Sequence, residues 1–172
     1  MNSGEPRPGL TQKPQKRTDM NKNKVTWKDL GVTAEISAFT PQTGIEEFHV
    51  MLHVETNGEL FGEQLQRIYQ GEERLMRMPP VSGSDIILKR YFLSDSANQQ
   101  PLIRKEHNCS VSVIQQPPLD GSKVAVWLYL QKGSHVTNVN GVTAAEHNGY
   151  RHLWQTGMYE HKGDSAQQTE SL

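Results

Sequence analysis

The sequence predicts an α+β fold, a sheet that carries its helices on one face. Three observations predict it. Residues 32–40 (VTAEISAFT) and 47–55 (EFHVMLHVE) alternate apolar and polar side chains at the period of a strand. Residues 59–78 repeat Phe61, Leu65, Ile68, Tyr69 and Met76 at helical spacing, opposite a face of Glu, Gln and Arg. Residues 123–131 (KVAVWLYLQ) form a strand that is apolar on both faces. A helix layer covers only one face of a sheet, so the second apolar face needs another cover, and a partner subunit is the natural one.

Residues 1–24 are rich in Pro, Lys, Asn and Gln and nearly free of large apolar side chains. They bury too little to offset ordering entropy and read as a disordered tail. The tail is basic at Arg7, Lys13, Lys16, Arg17, Lys22 and Lys24, but no aromatic residue is interleaved with these charges as in a nucleic-acid arm. The folded domain spans 25–132. In the first strand Ala34, Ile36 and Ala38 share a face, and Pro41 to Gly44 supply a turn. Phe48, Val50, Leu52 and Val54 form the core row of the second strand, which pairs antiparallel with the first. The helix follows Asn57-Gly58 and stops at Pro79-Pro80. Residues 85–93 are a third strand. Ser94 or Asp95 caps a short helix from Ser96 to about Arg104, which Pro101 limits. Cys109, Val111 and Val113 alternate with Ser110 and Ser112 in a fourth strand, and the QQPPLDG turn leads into the last. Residues 133–149 (GSHVTNVNGVTAAEHNG) read as a linker. Strand character returns over 150–158, and SAQQTESL reads as the opening of a capped helix.

Composition narrows the function classes. The chain has 172 residues, enough for one domain. With 34% apolar residues and a mean hydropathy of −0.69 it is lean for a globular protein. A net charge of −1 gives no general attraction to nucleic acid or anionic membrane. No stretch approaches the roughly 18 consecutive apolar residues of a membrane helix, and the N-terminus lacks the apolar run of a signal peptide. One cysteine excludes an intrachain disulfide and fits a reducing cytoplasm.

Residues 150–172 parallel 48–68: an aromatic-led strand, a Gly turn, then a helix start. Two readings stand. One is an extra strand with a frayed tail. The other is the start of a second copy of the same unit.

Strand, strand, helix, strand, short helix, strand, strand, with Cys109 opening the penultimate strand and the KVAVWLYLQ strand at the end, resembles the RidA/YjgF family of reactive enamine/imine deaminases (also labelled endoribonuclease L-PSP). The resemblance covers about 48–131. The WQTG and GDSAQQT of the last residues look like the family's opening strand and first helix, so the chain resembles the divergent N-terminal half of a tandem, chorismatase-like member. The resemblance implies a mixed sheet of five to six strands with two helices packed on one face. It implies that the other face is buried in an oligomer: a homotrimer, or a pseudo-trimer with a second RidA-like half. Ligand clefts for a small carboxylate would then lie between subunits, lined here by Asn108, Cys109 and Tyr129. No cofactor is implied.

The family grips the substrate carboxylate with an Arg two residues before the Cys position, a task suited to a bidentate guanidinium. Here that position holds His107, or Asn108 if the register slips by one. The family also activates water with a Glu early in the last strand, where this chain has Ala125, which moves no proton. The expectation is an oligomerising, ligand-binding domain without ordinary deaminase activity. The alternative is an active deaminase or hydrolase of small carboxylates with Arg104 and His107 as catalytic substitutes.

Other constellations are weaker. His49 and His53 share a strand face opposite the core row, but no third ligand has suitable spacing, so no metal is expected. Cys109 beside His107 reads as a buried or interface thiol rather than a nucleophile. No phosphate loop, nucleophile elbow or dinucleotide fingerprint is present.

Overall fold

The computed structural model describes residues 20–41, 44–105 and 108–156. Their elements run β1 (Met20–Trp27), β2 (Val32–Phe39), β3 (Glu46–Val54), α1 (Phe61–Met76), β4 (Asp85–Leu93), α2 (Ser96–Gln99) with a 3-10 turn (Gln100–Leu102), β5 (Ser110–Gln115), β6 (Val124–Lys132), β7 (His135–Val139), β8 (Val142–His147) and β9 (Tyr150–Gln155). The fold is α+β. A mixed six-stranded sheet has the order β1-β2-β3-β6-β4-β5, and a second sheet has the order β7-β8-β9. All neighbours in the large sheet are antiparallel except β4 and β5, whose parallel pairing requires the crossover through α2.

The core lies between α1 and one face of the large sheet. Phe61, Leu65, Ile68 and Leu75 of the helix pack on Ala34 and Ile36, on Phe48, Val50 and Leu52, and on Val126 and Leu128. Gly71 marks the closest approach of helix to sheet, since a Cβ there would lie 2.7 Å from Val32 Cγ1. Gln64, fully buried, ties the layers together. Its Nε2 donates to Thr56 Oγ1 and to the Glu59 carbonyl, and its Oε1 accepts from the Lys123 amide at 2.8 Å. Glu63 donates no proton but accepts the Leu60 amide, capping the helix start in place of a Ser or Thr.

Two segments depart from the sequence reading. The disordered tail expected over 1–24 is corrected for residues 20–24, because β1 begins at Met20 and pairs with β2 along its whole length; residues 1–19 lie outside the described residues. Lys22 and Lys24 project from this edge strand, and Lys24 Nζ donates to Glu35 Oε1 at 3.1 Å, so its charge disguised a strand whose edge needs charge. The linker expected over 133–149 is instead two strands of the small sheet. Asn140-Gly141 and Asn148-Gly149 each form a two-residue hairpin loop with both residues at positive φ, 52° and 81° in the first and 50° and 77° in the second. Such primed turns match the twist of the flanking strands. The strand expected over 150–158 is β9, described to Gln155; the helix expected after it lies outside the described residues.

The small sheet packs on the second face of the large one. Ala145, Val136 and Trp154 meet Ile87, Leu88 and Tyr129. Ser110, fully buried at the start of β5, joins the two: its Oγ lies 2.6 Å from the Trp154 carbonyl and 3.0 Å from Thr143 Oγ1, and it accepts the Thr143 amide. Over this part of the second face the cover therefore comes from the chain itself rather than from a partner.

Candidate functional site

The face away from α1 is built in rows by cross-strand register. Ser37, His49, Tyr129, Leu88 and Ser110 form one row; Glu35, Met51, Trp127, Arg90 and Ser112 the next; Thr33, His53, Ala125, Phe92 and Ile114 the third. The alternation of each strand dictates this set, because the opposite parity is committed to the α1 core.

The first two rows carry a continuous run of rings. His49 stacks on Tyr129 at 5.0 Å and on Trp127 at 5.7 Å, and Tyr129 meets Trp154 of β9 at 5.7 Å. Burial raises the Tyr129 phenol above its ordinary value, against the hydrogen bond from Gln131 Nε2 at 2.7 Å. At physiological pH the phenol is thus neutral, an acceptor toward Gln131 and not a nucleophile. The Arg90 guanidinium carbon lies 5.6 Å from the centre of the Trp127 ring. Beside it, between β4 and β5 on one side and β9 on the other, is a cavity of about 720 Å³ with Arg90, Ser112, Trp154 and Gln155 among its walls.

The third row floors a second hollow, of about 300 Å³, between β3, β4 and the turn that precedes β6. Ala125 is its base, Met51 and Phe92 its sides, and Pro117, Pro118 and Leu119 its rim. Leu119 stands fully exposed at the turn tip. His53 Nδ1 lies 3.8 Å from Asp120 Oδ2 at the same rim. Burial opposes ionisation of Asp120, but its hydrogen bonds to Ser122 and the nearby His53 outweigh this and hold the carboxyl below its ordinary value.

On the helix side lies a charged cluster. Lys89 Nζ donates to Glu72 Oε1 at 2.6 Å, with both side chains almost wholly out of solvent. The Arg104 amide donates to Tyr69 Oη at 3.0 Å, its guanidinium lies 4.4 Å over the Tyr69 ring, and its Nη2 is 3.9 Å from Glu72 Oε1.

The residues singled out from the sequence are not brought into one site. Arg104 faces Tyr69 and Glu72 under α1, whereas Tyr129 is on the opposite side of the sheet against Trp154. Asn108 is exposed and Cys109 is buried just ahead of β5, while His107 lies outside the described residues. Arg90 and Lys89 were missed. Their signal was two adjacent charges inside the apolar strand DIILKRYFL, which strand alternation must send to opposite faces.

Set against models of known protein families, curated proteins and solved structures, the chain has no match.

Proposed function

We propose that this chain is a RidA/YjgF-like domain that assembles with further copies through the second face of its large sheet and binds a small carboxylate without deaminating it. Support for the scaffold is the run β2, β3, α1, β4, α2, β5, β6, which has the element order on which the resemblance rests. Support for the missing chemistry is Ala125, the observation that carries the reading. A methyl group floors the hollow where the resemblance calls for a carboxylate, and the walls there are Met51, Phe92 and Pro117. A hollow with His53 and Asp120 only at its rim activates no water at its floor.

Assembly is supported by what β7–β9 leave open. Half-buried Met51, Trp127 and Phe92, with Leu119 fully exposed beside them, form an apolar tract that a second copy would cover. The competing reading, catalysis by Arg104 and His107, would need the Arg104 guanidinium to leave Tyr69 and Glu72.

The decisive assay is hydrolysis of 2-aminoacrylate generated in situ. The chain is expected to leave the uncatalysed rate unchanged. An acceleration that disappears in Arg104→Ala would overturn the reading in favour of the deaminase.

A further inference from the structure

Arg90 sits in the middle of β4 with its side chain on the second face, between Trp127 of β6 and Ser112 of β5. Among the described residues, its Nε is buried without a hydrogen-bond partner and no Asp or Glu lines the cavity beside it. Arg90 is half-buried, but an Nε–H withdrawn from water without an acceptor is costly, and a bound anion would supply one. The cavity, at about 720 Å³, is of a size that takes a small organic molecule.

We propose that the space between β4, β5 and β9 is a binding site, within one chain, for a small organic monocarboxylate held by Arg90. Three features select that chemistry. Arg90 is the one charged residue among the described residues lining the cavity, so a single negative charge is balanced by them and a doubly charged phosphate is not. The guanidinium carbon lies over the Trp127 ring at 5.6 Å, a contact that restrains the group, and a guanidinium so held suits a two-point contact with a planar carboxylate. Leu88, Leu153 and Trp154 supply apolar wall for the body of the ligand, while Ser112 and Gln155 offer further polar contacts. The small sheet is required, because β9 forms one wall; Ser110, bonded to the Trp154 carbonyl, holds that wall in place.

This site does not depend on assembly. The wild-type chain and Met51→Glu, a change on the second face but outside this cavity, are titrated with pyruvate and benzoate, with benzamide as neutral control and inorganic phosphate as dianion control. Binding is followed by the Arg90 Nε–H resonance and by tryptophan fluorescence. The expected result is that at least one carboxylate shifts the Arg90 resonance, that Met51→Glu binds it equally well, and that Arg90→Gln weakens it by about tenfold or more. Arg90→Lys, keeping the charge but not the two-point contact, should fall between. Unaltered affinity in a folded Arg90→Gln, tighter binding of phosphate, or an Arg90 resonance unmoved by either carboxylate at about 10 mM would overturn the proposal. Failure of assembly alone would leave this result unchanged, and so separates the two readings.

Discussion

Lys89 and Glu72 place a charged pair between α1 and β4, with side-chain exposures of 1% and 8%. Such a pair gains little over an apolar replacement of both partners, but losing Lys89 leaves Glu72, among the described residues, with only the longer contact to Arg104 at 3.9 Å. Lys89→Met should therefore destabilise the fold by about 3 kcal/mol or more in urea titrations, and Lys89→Met combined with Glu72→Leu should recover most of that loss. Gly71 gives a second test. Alanine ordinarily favours a helix interior over glycine, yet here its methyl would meet Val32 Cγ1 at 2.7 Å. Gly71→Ala should lower the urea midpoint, by about 1–3 kcal/mol in stability, and Val32→Ala in the same chain should restore part of it. At the surface, the hydrogen bonds from Arg74 hold the Asp29 carboxyl below its ordinary value of 3.8. A carboxyl depressed on folding contributes stability that is fully present above that value and is lost as pH falls through the lower, folded one. Asp29→Asn should thus lower stability at neutral pH, where that contribution is fully present, change little at the acid end, and so flatten the acid limb below pH 3.8. Much of this scale was hidden in the sequence. Arg104 stood out because it lay near the place where the resemblance called for a guanidinium, whereas Arg90 acquires its setting only through Trp127 and Ser112, residues brought beside it by β6 and β5.

Among the elements, the large sheet was legible and its additions were not. Strands β2, β3, β4 and β6 and helix α1 announce themselves by period, because each commits one face to the same core. The edge strand β1 starts at Met20, buries parts of Val25 and Trp27 and is otherwise Lys, Asn and Thr, so its composition resembled a tail. The strands β7–β9 are short, and their outer face mixes polar residues with the exposed Val139 and Leu153, but two Asn-Gly pairs flanked by β-branched or aromatic residues were a hairpin signal already present in the sequence. What fixes this small sheet to the large one is concentrated at Ser110. Ser110→Ala leaves the Trp154 carbonyl and the Thr143 hydroxyl without their shared partner, a loss of about 1–3 kcal/mol. Hydrogen exchange should then quicken in β8 and β9 while the amides of β2 and β3 keep their protection. Equal acceleration in both sheets would mean that the small sheet does not open separately.

For the whole molecule, the proposed function turns on the second face of the large sheet. The strand KVAVWLYLQ indicated from its pattern alone that this face needs a cover. The chain supplies part of that cover through Ala145, Val136 and Trp154, and leaves Met51, Phe92 and Leu119 open around Ala125. No helix among the described residues is long and apolar enough to cross a membrane, so these apolar groups are not accounted for by a spanning helix. In the proposed function, further copies of the chain cover them, in the trimer implied by the resemblance. The measurement that tests this most directly is the absolute mass in solution by light scattering at micromolar concentration, for the wild type and Met51→Glu. The expected result is three times the 19.4 kDa chain mass for the wild type and a shift to the single-chain mass for the variant. A wild-type mass of one chain would contradict it, and the second face would then have to be closed within a single molecule.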